Sequence, residues 1–219
     1  MIKAVIFDMD GLIVDSEPLW HQAQSEILGE CGVTITDEDA KHTIGIRIDY
    51  VIDYFYQRSP WEGKTKQDII DAILDRVKEL VGLHQPMMPG VLEAIALFRS
   101  QGFLLGVASS SPLDMIKYVL EELELHEYFQ VVCSAGELKY PKPHPEVYIN
   151  AANALQVDAR ECLALEDSFS GLLAAKAAQM KAIAIPEAST AHLDKWAIAD
   201  KQFSSLLDIT RSTLHELQK

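Results

Sequence analysis

The chain has 219 residues, 48% of them hydrophobic, and a formal charge of −14 with its histidines neutral. That length holds one large core, or one core with a smaller insertion. The acidic balance argues against nucleic acid or an anionic membrane as the main partner; with no signal-peptide pattern and no apolar run of membrane-spanning length, a cytoplasmic protein acting on a small molecule is expected.

The first predicted element is a strand, Ala4 to Phe7, whose continuous apolar run implies cover on both faces. It leads into "DMDG", with carboxylates at Asp8 and Asp10 and a glycine at 11. A hairpin with Gly11 at positive φ accounts for the glycine and one Asp, not for both. A calcium loop of the D-x-D-x-D-G type fails because Leu12 holds the third ligand position and the glycine comes too early.

Residues 15 to 88 read as helices throughout: "PLWHQAQSEILGEC", "TDEDAKHTI", "RIDYVIDYFYQR" and "KQDIIDAILDRVKELV". In the last, Ile69, Ile70, Ile73, Leu74, Val77, Leu80 and Val81 make one apolar stripe, as in a bundle helix. This segment is expected to be a helical domain inserted into a core formed by 1–14 and 89–219. Beyond residue 89, strands at 103–108, 130–134, 162–166 and 181–185 alternate with the helical stretches "PLDMIKYVLEEL", "PEVYINAANAL" and "SGLLAAKAA". Strict alternation predicts a parallel sheet with helices on both faces and a ligand at the strands' carboxyl ends. The tail reads as a short strand near "KQFSS" and a closing helix. Cys31, Cys133 and Cys162 lack metal-type spacing and read as core residues in a reducing compartment.

Four of these strands end in polar clusters. Asp8 and Asp10 follow the first; "SSSP" follows the second, where Ser111 can cap a helix with Pro112 at its first position. Lys142, between prolines, comes shortly after the third, and Glu166 with Asp167 closes the fourth. Taken singly, these are a turn, a cap, a solvated loop lysine and favourable charge at a helix start. Together they arrive at one edge of one sheet.

The ordered set "DMDG", "SSS", "KP" and "ED" resembles the four motifs of the haloacid dehalogenase superfamily, over essentially the whole chain. The helical insertion after the first motif is similar to the cap of the beta-phosphoglucomutase-like branch. "FDMDGLIVDSEPLW", "ASSSPLDM", "KPHPEVY" and "ALEDS" look like bacterial sugar-phosphate phosphatases that act on hexitol phosphates and 2-deoxyglucose 6-phosphate. The resemblance implies an α/β fold with a Rossmann-like three-layer core and a helical cap. It also implies a magnesium-dependent phosphatase acting on a small phosphorylated sugar or sugar alcohol, and a monomer is the default expectation for a chain whose cap already covers the site.

The resemblance makes Asp8 the nucleophile, and a carboxylate is chemically able to form an aspartyl-phosphate that water then cleaves. It makes Asp10 the acid that protonates the leaving alkoxide and the base that activates water. Four carboxylates around a phosphate dianion repel: a like-charge pair about 4 Å apart costs about 4 kcal/mol at an effective dielectric near 20. A hard cation such as Mg²⁺ relieves that, and the implied ligands are the Asp8 side chain, the Asp10 carbonyl, Asp167, and Glu166 directly or through water. Lys142, the Ser109 hydroxyl and the amide of Ser110 are implied to hold the phosphate.

A dehalogenase needs neither the metal nor an acid for an alkoxide, so Asp10 and "ED" count against it. The mutase branch carries a histidine where this chain has Trp20, beside His21, and a cap lysine with no clear counterpart here, although Lys64 and Lys66 are near in sequence. Hydrolysis is therefore expected over phosphosugar mutation. A sensor without turnover would have lost Asp8, Asp10 or Lys142. In the cap, Arg47 is expected to contact a hydroxyl or distal anion of the substrate and Trp20 to cover the leaving group, with Glu17 and His21 as weaker candidates. The alternatives are a solvated arginine at a helix start and a tryptophan packed in the cap core.

Overall fold

The computed structural model describes residues 1–43 and 45–218. Ile44, at the end of the helix expected over 36–44, and Lys219, at the end of the tail expected to close in a helix, lie outside the described residues.

The apolar runs form the sheet they predicted. Strands β1 (Ala4–Phe7), β2 (Leu104–Ser109), β3 (Val131–Ser134), β4 (Cys162–Glu166), β5 (Lys181–Ala184) and β6 (Lys201–Gln202) pair in parallel in the order β3-β2-β1-β4-β5-β6. The chain steps outward from β1 to β2 and β3, then returns to the other side of β1 with β4. That reversal puts the topological switch point at the end of β1, where parallel α/β sheets form their crevice.

Side chains alternate between two layers. Val5, Phe7, Leu105, Val107, Leu163, Leu165 and Ile183 face α5 (Val91–Ser100), α6 (Leu113–Glu122) and α9 (Arg211–Leu217). Phe7 meets Phe98 and Phe129 edge to face, with centroids 5.7 and 5.5 Å away. Ala4, Ile6, Ala108, Cys162, Ala164, Ala182 and Ala184 face α7 (Glu146–Ala154) and α8 (Phe169–Ala177), themselves rich in alanine.

Helices α1 (Glu17–Glu30), α2 (Asp37–Thr43), α3 (Ile48–Arg58) and α4 (Lys66–His84) intervene between β1 and α5. Thr65 and Asp68 close a reciprocal capping box at the start of α4. In its predicted stripe Ile69, Ile73, Val77, Leu80 and Val81 are buried, while Ile70 and Leu74 at the stripe's margins are half-buried. The buried cluster runs without a break from these helices into β1, β2, α5 and α6. Lys78 of α4 also pairs with Asp114 of α6 at 2.6 Å. Among the described residues no helix is long and apolar enough to cross a membrane.

Candidate active site

Register brings the strand-end residues together. Phe7 is level with Val107 on one side and Leu165 on the other, so Asp8, Ala108 and Glu166 come next in adjacent strands. The Asp8 amide donates to the Leu165 carbonyl at 3.0 Å, carrying the pairing one residue past β1. The chain then curls back, with the Gly11 amide bonded to the Val14 carbonyl at 2.9 Å. Gly11 has φ +75°, and a Cβ there would fall 2.1 Å from Asp167 Oδ2. The glycine serves the backbone turn and also leaves space for a carboxylate from another strand.

Lys142 reaches this row from the loop between β3 and α7. Its ammonium donates to Asp8 Oδ1 at 2.8 Å, Glu166 Oε1 at 2.7 Å and the Ala108 carbonyl at 2.9 Å, using all three protons. The side chain is only 3% exposed, so these contacts compensate a buried charge. Burial alone would lower its pKa, but the Asp8 and Glu166 carboxylates prevail and raise it. Asp8 is pushed up to about 7, first by burial and then by Glu166 and Asp10, with Lys142 pulling the other way.

Glu166 is fully buried and saturated. Oε1 accepts from Lys142 and from Tyr148 Oη at 2.5 Å; Oε2 accepts from the Ser168 hydroxyl at 3.0 Å and its amide at 3.3 Å. Asp167 differs. Its Oδ1 is buried without a hydrogen-bond partner, and its pKa is raised well above the usual range by burial and by the Asp8 and Glu166 charges. Oxygens of Asp8, Glu166 and Asp167 lie within 4.8 Å of one another. An all-oxygen set with net negative charge and an orphaned carboxylate oxygen suits a hard divalent cation.

Asp10 accepts four hydrogen bonds. Oδ1 takes the Ser16 hydroxyl at 2.7 Å and the Trp20 indole N–H at 3.0 Å; Oδ2 takes the Ser111 hydroxyl at 2.8 Å and the Ser109 hydroxyl at 3.3 Å. This corrects the expectation that Ser111 caps the following helix: Pro112 is the N-cap residue, no side chain caps there, and the Ser111 hydroxyl goes to the carboxyl group instead.

Beside these groups is a cavity of about 290 Å³, the size for a small molecule. Asp8, Asp10, Lys142, Asp167 and Ser110 line it from the core, and Glu17, Trp20, His21, Gln24 and Arg47 from the helical segment. Every predicted site residue is thus gathered at one place, with Ser109 and Glu166 behind the wall. Glu17 is raised to about 7 by burial and by Asp10, Glu187 and Asp15. Arg47 is already engaged: it grips Asp49 through two bonds, at 2.7 and 2.6 Å, and donates to the Leu138 and Ala135 carbonyls at 2.6 and 3.3 Å. The sequence reading missed Ser16, Tyr148 and Ser168. Tyr148 stands in the quoted "KPHPEVY", but on an amphipathic helix an aromatic reads as core, and nothing local shows that its hydroxyl meets Glu166.

A buried lysine fixed between carboxylates from two strands, with a further carboxyl group two residues beyond the first, can hold an anion against a nucleophile and move a proton beside it. Residues 5–185 match the haloacid dehalogenase-like hydrolase family, and the chain belongs to it. It is 43% identical to hexitol phosphatase B of Escherichia coli, over 97% of this chain and 96% of that one. A phosphorylated carbohydrates phosphatase of Thermotoga maritima is 28% identical over 83% of this chain and 84% of that one. Among solved structures, CbbY of Rhodobacter sphaeroides bound to xylulose-(1,5)bisphosphate superposes with TM-score 0.86 at 27% identity, covering 95% of this chain and 96% of that one. A beta-phosphoglucomutase of Clostridium difficile gives the same TM-score at 22% identity, covering 99% of this chain and 96% of that one, a likeness of fold.

Proposed function

We propose that this protein is a Mg²⁺-dependent phosphatase of small phosphorylated sugars and sugar alcohols, hexitol phosphates foremost, acting in the cytoplasm as a single chain. The observation that carries the reading is the pairing of Asp8 with Lys142 at 2.8 Å, with Asp10 two residues on among hydroxyl donors at the same cavity. The likeness to the hexitol phosphatase supports the substrate class.

An Asp8 carboxylate oxygen attacks phosphorus, and the P–O ester bond breaks as Asp10 gives its proton to the leaving alkoxide. Asp10 then takes a proton from water, which attacks the aspartyl-phosphate and frees inorganic phosphate and Asp8. Lys142 holds Asp8 in place and offers a fixed positive charge to the phosphoryl oxygens, assisted by the Ser109 hydroxyl and the Ser110 amide. Asp8 and Asp167 through their side chains and Asp10 through its carbonyl would hold the cation; Glu166, with both oxygens bonded already, would act on it through water. When bound, the cation neutralises the carboxylates and the phosphate charge. Residues 15–88 act as a cap over the core of 1–14 and 89–219, excluding water and setting substrate choice.

The cap's charges favour a monophosphate. Arg47 is neutralised by Asp49, so the cavity beyond the phosphate site suits a neutral polyol better than a second phosphate. That weighs against a mutase working through a bisphosphate.

Phosphate release from hexose, deoxyhexose and hexitol phosphates, in steady state and single turnover with Mg²⁺, tests the reading. Hexitol phosphates are expected to lead, and Asp8→Asn is expected to lose at least about 10³-fold in rate. Release that persists in Asp8→Asn, or isomerisation of beta-glucose 1-phosphate with a bisphosphate primer in place of hydrolysis, would overturn it.

A further inference from the structure

Trp20 was expected to cover the leaving group. It lines the cavity, and its indole N–H is bonded to Asp10 Oδ1 at 3.0 Å. The four donors around Asp10 are not equivalent. Serine hydroxyls rotate and both donate and accept, so Ser16, Ser109 and Ser111 can exchange partners without moving the backbone. An indole N–H only donates, and it changes direction only when the whole ring moves. Trp20 is half-buried on α1, which packs against α4, so its ring direction is set by the helix it belongs to. Among the described residues Oδ2 meets the hydroxyls of Ser109 and Ser111, at 3.3 and 2.8 Å, on the β2 side. Ser110 and Ser111 line the cavity, with Ser109 buried behind and its hydroxyl also accepting from the Ser111 amide at 3.0 Å.

We infer that Trp20 is a positioning residue for Asp10: its indole N–H pins Oδ1 toward α1 and leaves Oδ2 as the oxygen that exchanges partners with the leaving group and the attacking water. The inference rests on the hydrolase reading and adds to it the orientation of the acid–base group. A tryptophan that merely walls the cavity needs an aromatic ring but no N–H. A tryptophan that orients Asp10 needs the N–H, and its loss is felt in turnover more than in binding.

Trp20→Phe keeps the ring and deletes the donor. The expected result, on the best phosphomonoester with Mg²⁺, is a kcat lower by about tenfold to a hundredfold, the loss of one hydrogen bond to a charged group, with KM within about threefold. Trp20→His, which restores a ring N–H, is expected to recover part of the lost kcat. A second readout needs neither metal nor substrate: in ¹H–¹⁵N spectra of the whole chain, the Trp20 indole resonance, assigned by its absence in Trp20→Phe, should move upfield in Asp10→Ala. An unchanged kcat, or a rise confined to KM, assigns Trp20 to the cavity wall and overturns the inference, as does an indole resonance indifferent to Asp10. A wild-type protein inactive on every phosphomonoester would remove the hydrolase reading, while the indole resonance would still decide whether Trp20 holds Asp10.

Discussion

The carboxyl edge of the sheet and the helical insertion both face the cavity, yet they hold their charges differently. At the sheet edge Lys142, Asp8 and Glu166 are almost fully buried, and strand register fixes their separations. In the insertion, pairs such as Lys64 with Glu30 and Lys66 with Asp53 are 41% exposed or more, where such contacts contribute little. Arg47 differs, a half-buried cap cation committed to Asp49 and to two core carbonyls. A residue's position at a strand end already suggests its role. A residue's role in the insertion depends on partners that only folding selects.

Glycine substitutions test this contrast most severely. A Cβ at Gly171 would lie 1.8 Å from Glu166 Oε1, on a side chain held by four hydrogen bonds and unable to yield. Gly171→Ala is expected to cost about 2–4 kcal/mol in urea unfolding and to lower phosphate release by about a hundredfold or more. At Gly29 in α1 nothing lies within 4 Å of an added Cβ. Gly29→Ala is expected to stabilise by about 0.5–1 kcal/mol with activity unchanged. Similar outcomes at both positions would mean that the sheet edge is as yielding as the cap.

Next in size is the effect of uncoupling Arg47. Asp49→Ala removes two bonds and a charge from the guanidinium while the carbonyl contacts hold it at the cavity. Inhibition by a sugar bisphosphate should tighten about tenfold, about 1.4 kcal/mol, with kcat/KM for monophosphates within about threefold. Unaltered bisphosphate inhibition would show that Arg47 does not set the cap's preference against a second anion.

The same contrast explains what could be read from the sequence. The first five strands are found within one residue of their expected bounds because continuous apolar runs and alternation with helices leave few other solutions, and the sixth covers only the first two residues of "KQFSS". Asp8, Asp10, Lys142, Glu166 and Asp167 were legible because a parallel sheet collects strand ends at one edge. The partners of those groups were not. Ser111 was read as a cap because "SSSP" is a capping pattern, and its actual acceptor, Asp10, is 101 residues away in sequence. Tyr148, with its hydroxyl on Glu166, and Trp20, with its N–H on Asp10, belong to residue types whose apolar bulk dominates any pattern while their single polar atom carries the contact.

The smallest expected effect lies at the seam of the two regions, on Glu17. Its carboxyl group belongs to α1 but is raised to about 7 from an ordinary value of 4.5, chiefly by burial and then by Asp10, Glu187 and Asp15. A raised folded-state pKa means that the native chain holds this proton where the unfolded chain has released it. Its stabilising contribution is therefore complete below about pH 4.5 and is lost as pH rises through about 7. Glu17→Gln, which stays neutral, should match the wild type near pH 5 and exceed it at pH 8. The shift taken whole corresponds to about 3 kcal/mol, but Glu17 is only half-buried, and solvent screening reduces the expected gain to about 1 kcal/mol. Urea unfolding of both proteins at the two pH values, without metal, gives the comparison. A difference independent of pH would place Glu17 outside the field of the core carboxylates, and the seam would then carry packing alone.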